Sequence, residues 1–364
     1  MAVYKKISFL LTLILTGITP TIAIPVAFAQ EQQNTGNRQE LNKILREGRK
    51  LVESGDYNSA LALYERAASL DKKNSRIFSG IGYIKALQGN YQEAAIAYQQ
   101  AIKLEPNNAQ FHYALAFALA NTGDNVGATY SYRRAAQIEP KNINAHLGLG
   151  VVLLRQRNFP AALDTFNQVI ALDTRNWQAY EYIGSLFIKQ GRPAEAIAPL
   201  ETAAKLAPRQ ATIQLNLGLA WLKQGNLDAA RVAFERAAMI DAKNPAIFLE
   251  IGKIRQSEND LPRALESYEK AIALDPKLVE ARAAIADILL EQKDFASAII
   301  AYQEVINLAP QTAAAYYNLA IALQEQKQVK EAKKAFQQAL DLYTQQGNQE
   351  GVEKAENALR QWKK

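Results

Sequence analysis

The stretch Gly89–Pro106, GNYQEAAIAYQQAIKLEP, holds no histidine, no cysteine and no catalytic pairing, yet near copies of it recur along the chain. Gly55–Lys72 reads GDYNSALALYERAASLDK, 34 residues earlier, and Gly225–Ala242 reads GNLDAARVAFERAAMIDA, four such periods later. A period kept this strictly marks a repeat architecture, in which each unit buries its apolar face only against its neighbours. In blocks of 34 from Leu41 the sequence gives nine units without insertion or deletion: 41–74, 75–108, 109–142, 143–176, 177–210, 211–244, 245–278, 279–312 and 313–346.

Each place in the block has a mechanical reason. Apolar residues at places 4, 7, 8 and 11, and again at 20, 24, 27 and 30, follow the three-and-four spacing of two amphipathic helices. Place 8 is Gly or Ala and place 20 is always Ala, from Ala60 to Ala332, so two helices can approach closely. Place 24 is aromatic except at Leu200, filling the space between them. Asp56, Asn90, Asp124, Asn158, Asn226, Asp260 and Asp294 are placed to cap second helices. Asn74, Asn108, Asn142, Asn176 and Asn244 are placed to cap the first helices that follow.

Small, small, aromatic and alanine at these places resemble the tetratricopeptide repeat family over residues 41–346. The resemblance implies an all-α fold: an α-solenoid, a right-handed superhelix of nine 34-residue helix-turn-helix repeats whose concave face holds partners. Arg157, Asn259, Lys293 and Lys327 depart from its turn glycine, and Val169 and Val305 from an alanine. Residues 347–364 are expected to form a C-terminal capping helix, with Val352, Ala355, Leu359 and Trp362 at helical spacing. Pro199, inside the second helix of the fifth unit, predicts a kink there, and Leu200 beside it predicts looser packing.

The 364 residues carry 49% hydrophobic and 21% charged residues, the composition of a folded, water-soluble chain. Zero cysteines exclude disulfides, thiolate metal sites, a cysteine nucleophile and a bacterial lipoprotein anchor. Lys5 and Lys6, the apolar run from Ile7 to Phe28 and the Ala27-Phe28-Ala29 ending predict a signal peptide over residues 1–29, followed by a flexible linker over 30–40. The expected location is therefore a periplasm or an equivalent extracytoplasmic lumen; an uncleaved membrane anchor is disfavoured by Pro20 and Pro25. Losing Lys5 and Lys6 lowers the net charge from +6 to +4, too small an excess to imply nucleic acid.

Repeats fill the chain and leave no room for a catalytic domain. His112 and His146 both fall at place 4, where packing is expected, about 8–10 Å apart by helix spacing, which is too far to share a metal ion. No Gly-rich phosphate loop or nucleophile elbow occurs. The reading is thus non-enzymatic, with no cofactor and no metal, and with a protein or peptide partner.

The resemblance directs places 2, 5, 6, 9, 12 and 13 of the first helices into the groove. There the sequence puts Tyr83, Tyr113, Phe117, Leu147, Val151, Tyr182, Leu215, Leu219, Leu249, Tyr317 and Ile321, a lining with no evident packing duty inside its own repeat. Arg155, Lys189 and Lys223 at place 13 make a basic edge, and Glu250, Glu280, Asp287, Glu291 and Glu325 an acidic end. The lysine and asparagine with which chaperone-binding relatives hold a carboxylate, at places 5 and 9, are absent. Two narrower roles fit the same groove: an assembly factor for an envelope or photosynthetic membrane complex, and a glycan-handling component of polysaccharide export whose aromatics stack on sugars.

Overall fold

The computed structural model describes residues 28–361, and all regular structure among them is helical. The residues of the expected signal peptide up to Ala27, and Trp362, lie outside the described residues. The chain divides into two compact units, Met1–Tyr182 and Ile183–Lys364.

Unit 1 carries α1 (Phe28–Ser54), α2 (Tyr57–Leu70), α3 (Ser75–Leu87), α4 (Tyr91–Leu104), α5 (Ala109–Thr122), α6 (Asn125–Ile138), α7 (Ile143–Arg155) and α8 (Phe159–Leu172). The division falls inside α9 (Trp177–Lys189). Unit 2 continues with α10 (Pro193–Leu206), α11 (Ala211–Lys223), α12 (Leu227–Ile240), α13 (Pro245–Ser257), α14 (Leu261–Leu274), α15 (Val279–Glu291), α16 (Phe295–Leu308), α17 (Ala313–Glu325), α18 (Val329–Gln345) and α19 (Gln349–Arg360). The elements are thus consecutive helix pairs, an all-α solenoid. One expectation changes at the N-terminus: the stretch 30–40 belongs to α1 rather than to a linker. Pro199 lies inside α10, which keeps the 14 residues of α12 and α14.

The packing explains why the period is strict. Every alanine at place 20 has no accessible surface. In unit 1, a Cβ added to Gly150 would lie 2.4 Å from the Phe166 ring, and in unit 2 one added to Gly218 would lie 2.5 Å from Phe234. Contacts that short leave no space for a side chain, so the two helices of a repeat meet backbone against ring. Leu200 does the ring's work in its repeat: it is fully buried, and a Cβ on Gly184 would stand 2.3 Å from it. The looser packing expected there is absent, because the helices keep the same close approach onto a branched aliphatic side chain. At the end of unit 2, Ala355 of α19 is buried, while Val352 is half-buried and Leu359 packs against the Phe336 cluster.

Helix ends follow their chemistry. Asp56, Asp124, Asn158, Asn226, Asp260 and Asp294 each accept a backbone N–H of the helix they precede, while Asn90 makes no side-chain cap. Asn74, Asn108, Asn142, Asn176 and Asn244 cap their first helices as expected. The four departures from the turn glycine keep its backbone: Arg157, Asn259, Lys293 and Lys327 have φ of 59°, 60°, 62° and 60°. A side chain in this left-handed region crowds its own carbonyl, at a cost of roughly 1–2 kcal/mol that asparagine feels least. Lys293→Gly is therefore expected to raise stability by up to about 1 kcal/mol once the extra entropy of the unfolded glycine is subtracted. The check is the urea midpoint, with a smaller gain for Asn259→Gly; a loss for Lys293→Gly would contradict the strain.

Candidate partner-binding face

Within each unit, first helices of successive repeats touch directly: α3 with α5 and α5 with α7 in unit 1, α15 with α17 in unit 2. Helices that close together form the narrow side of the stack. This is the face to which the sequence assigns the binding residues.

In unit 1 the face is rich in tyrosine. Tyr83 is buried, while Tyr113, Phe117, Val151 and Tyr182 are half-buried, and Leu147 is buried. Tyr113 meets Tyr132 edge-on at 5.6 Å between ring centroids, Phe117 meets Tyr91 at 6.1 Å, and Tyr182 stacks on Phe166 at 5.2 Å. Burial raises the phenol pKa of Tyr113, and that of Tyr132 further with help from Tyr113; burial and then Glu181 raise Tyr182. These phenols stay protonated at neutral pH and can donate hydrogen bonds. Arg155 is exposed, and its guanidinium donates to the Ala120 carbonyl at 3.1 Å, tying α7 to α5.

In unit 2, Leu249 is buried, and Leu215 and Leu219 are half-buried against the cluster of Phe234 and Tyr268. Tyr317 and Ile321 are half-buried against the next cluster, with Tyr317 edge-on to Phe336 at 5.4 Å. Lys189 and Lys223 are exposed. The acidic end is partly neutralised, since Lys253 bridges Glu250 at 2.9 Å and Glu280 at 2.7 Å. Asp287 accepts from Tyr302 Oη at 2.6 Å and Asn318 Nδ2 at 3.1 Å. Glu291 and Glu325 are exposed.

One expectation about this face is corrected. Its residues do carry a packing duty, and none of the eleven apolar and aromatic ones is fully exposed. The reason is reach: with helices in close contact, a ring at place 5, such as Tyr113 or Tyr317, extends to the ring at place 24 of its own repeat. The large apolar side chains that are truly exposed lie on second helices, among them Val126 at 77%, Tyr130 at 69% and Ile96 at 63% in unit 1.

The histidines belong to a local device that the sequence did not reveal. His112 Nε2 stands 2.8 Å from the Pro106 carbonyl and His146 Nε2 2.9 Å from that of Pro140. A carbonyl only accepts, so Nε2 carries the proton in each ring. Tyr180 and Arg282, at the same place of other repeats, donate to the carbonyls of Thr174 and Pro276. In these four repeats place 4 thus ties a first helix to the loop before it through three different side-chain types. Among the described residues no group of three or more His, Cys, Asp or Glu is arranged to hold a metal ion. Gln214, at place 4 of α11, lacks the tie: its Oε1 is buried without a donor, beside a cleft of about 930 Å³ between α10, α11 and α12.

A family model described as the C-terminal domain of cilia and flagella-associated protein 70 matches residues 37–277, and one described as tetratricopeptide repeat matches residues 280–345. A crystal structure of a tetratricopeptide repeat protein from Parabacteroides merdae is similar at a TM-score of 0.56 and 19% identity, covering 65% of this chain and 94% of that one. PilF of Pseudomonas aeruginosa is similar at a TM-score of 0.51 and 20% identity, covering 60% of this chain and 98% of that one. At such identities the two structures show the fold alone. No curated protein matches the sequence.

Proposed function

The chain belongs to the tetratricopeptide repeat family, and on that premise we propose that it is a non-enzymatic scaffold holding a peptide segment or a partner protein on its first-helix face. The observation that carries this reading is, in each unit, the set of buried and half-buried apolar and aromatic groups at places 5, 6 and 9, with exposed cations at place 13. Half-buried rings already fixed by a neighbour lose little entropy on binding, and protonated phenols beside them supply polar contacts. Of the exposed apolar groups of the second helices, Leu70, Ile96, Leu172 and Val329 are each the only exposed large one described on their helix, as is ordinary for a protein surface, while Val232, Met239 and Ile240 line the cleft beside Gln214.

Export, carried by the basic and apolar N-terminal segment, completes the proposal. The ring contacts weaken the sugar-stacking alternative, because Tyr182 already offers one ring face to Phe166. One experiment addresses both place and face. A photo-crosslinking residue is placed at Arg155 or at Glu65 of the second helix α2, and products are recovered from the extracytoplasmic fraction. Adducts from Arg155 alone, on a chain beginning at Gln30, are expected; equal adducts from both positions, or a chain beginning at Met1, would count against the reading.

A further inference from the structure

Three arginines in unit 1 converge where nothing neutralises them. Arg46 and Arg49 of α1 and Arg76 in the first turn of α3 line one cavity of about 310 Å³. Arg46 and Arg76 are exposed and Arg49 is half-buried. Among the described residues none of the three makes an ion pair or a hydrogen bond through its guanidinium, and the Arg49 Nε is buried with no acceptor. The cavity lining includes no carboxylate. Glu40, on the same helix, is engaged by Arg66.

The remaining polar groups of the cavity can all donate, and none carries a negative charge. Asn42 and Asn74 present amides, and the Asn74 Oδ1 is already used by the Arg76 backbone N–H at 3.2 Å. Tyr64 and Ile77, both buried, close the apolar side. Like charges gathered in a partly desolvated space repel one another, and a guanidinium fork pairs best with two oxygens of one planar or tetrahedral anion. We propose that this cavity is a binding site for an oxyanion of two or more charges, either the phosphate of a small ligand or paired carboxylates of an acidic peptide. The site draws on places 2, 6 and 9 of the first two repeats and does not depend on which partner the rest of the face holds.

The test is calorimetric titration of the full chain at low salt with inorganic phosphate and, separately, with a tetraglutamate peptide. Saturable binding of either is expected, weakened about tenfold or more by Arg49→Gln and weakened further by added potassium chloride. Lys43→Gln, exposed on the same helix, should leave it unchanged. If Arg49→Gln impairs folding, the exposed pair Arg46→Gln with Arg76→Gln carries the same expectation. Phosphate binding identifies a small-ligand source, and peptide binding with phosphate silent identifies an acidic segment. No saturable binding of either probe, or binding indifferent to all three arginines, would overturn the site.

Discussion

Phe234→Ala is expected to lower the stability of unit 2 by about 3–5 kcal/mol, the range for removing a buried ring that its surroundings cannot replace. Phe234 is fully buried in a cluster with Ala230, Ala237 and Ile247, and the residue facing it, Gly218, has no side chain to fill the hole. Phe234→Leu should cost under about 2 kcal/mol, since another repeat already works with Leu200 against Gly184. Val232→Ala, on the same helix and 41% exposed, serves as the control and should shift stability by about 0.5 kcal/mol or less. The readout is urea unfolding followed by helical circular dichroism. Equal midpoints for Phe234→Ala and Val232→Ala would mean that the close glycine–ring contact is not what holds a repeat together.

That contact also shows how much the sequence disclosed. Place 8 small, place 20 alanine and place 24 large are local constraints repeated in every unit, so the helix pairs, most of their caps and the strict period were legible from residue types alone. Leu200 shows the limit of that pattern: the pattern names a ring, but the space requires only volume, and leucine supplies enough of it beside glycine. Arg157, Asn259, Lys293 and Lys327 mark the converse case, in which the backbone keeps the glycine conformation although the sequence does not.

The candidate face was legible as a list of places but not as a surface. Periodicity tells which way Tyr113 points; it does not tell that the Tyr132 ring lies within reach, so exposure was overestimated. The tie at place 4 was hidden because histidine, tyrosine and arginine share no label except that each can donate to a carbonyl. Arg46, Arg49 and Arg76 are not legible as a cluster in the sequence, because two sit in one repeat and the third opens the next, and only the packing of α1 against α3 through α2 gathers them around one cavity.

The reading stands or falls on which face holds the partner, and substitution at two places decides it. Phe117 is half-buried on α5 of the first-helix face, with one edge held by Tyr91. Val126 is 77% exposed on the second helix α6. A partly pre-ordered aromatic anchor contributes about 2 kcal/mol or more to binding, roughly thirtyfold in affinity, whereas a small exposed aliphatic side chain such as valine contributes little. The measurement is the affinity of the peptide segment recovered by crosslinking for the native chain, for Phe117→Ala and for Val126→Ala, each checked for unchanged helical content. A loss of about thirtyfold for Phe117→Ala with none for Val126→Ala is the predicted result; a loss confined to Val126→Ala would place the partner on the second helices and contradict it.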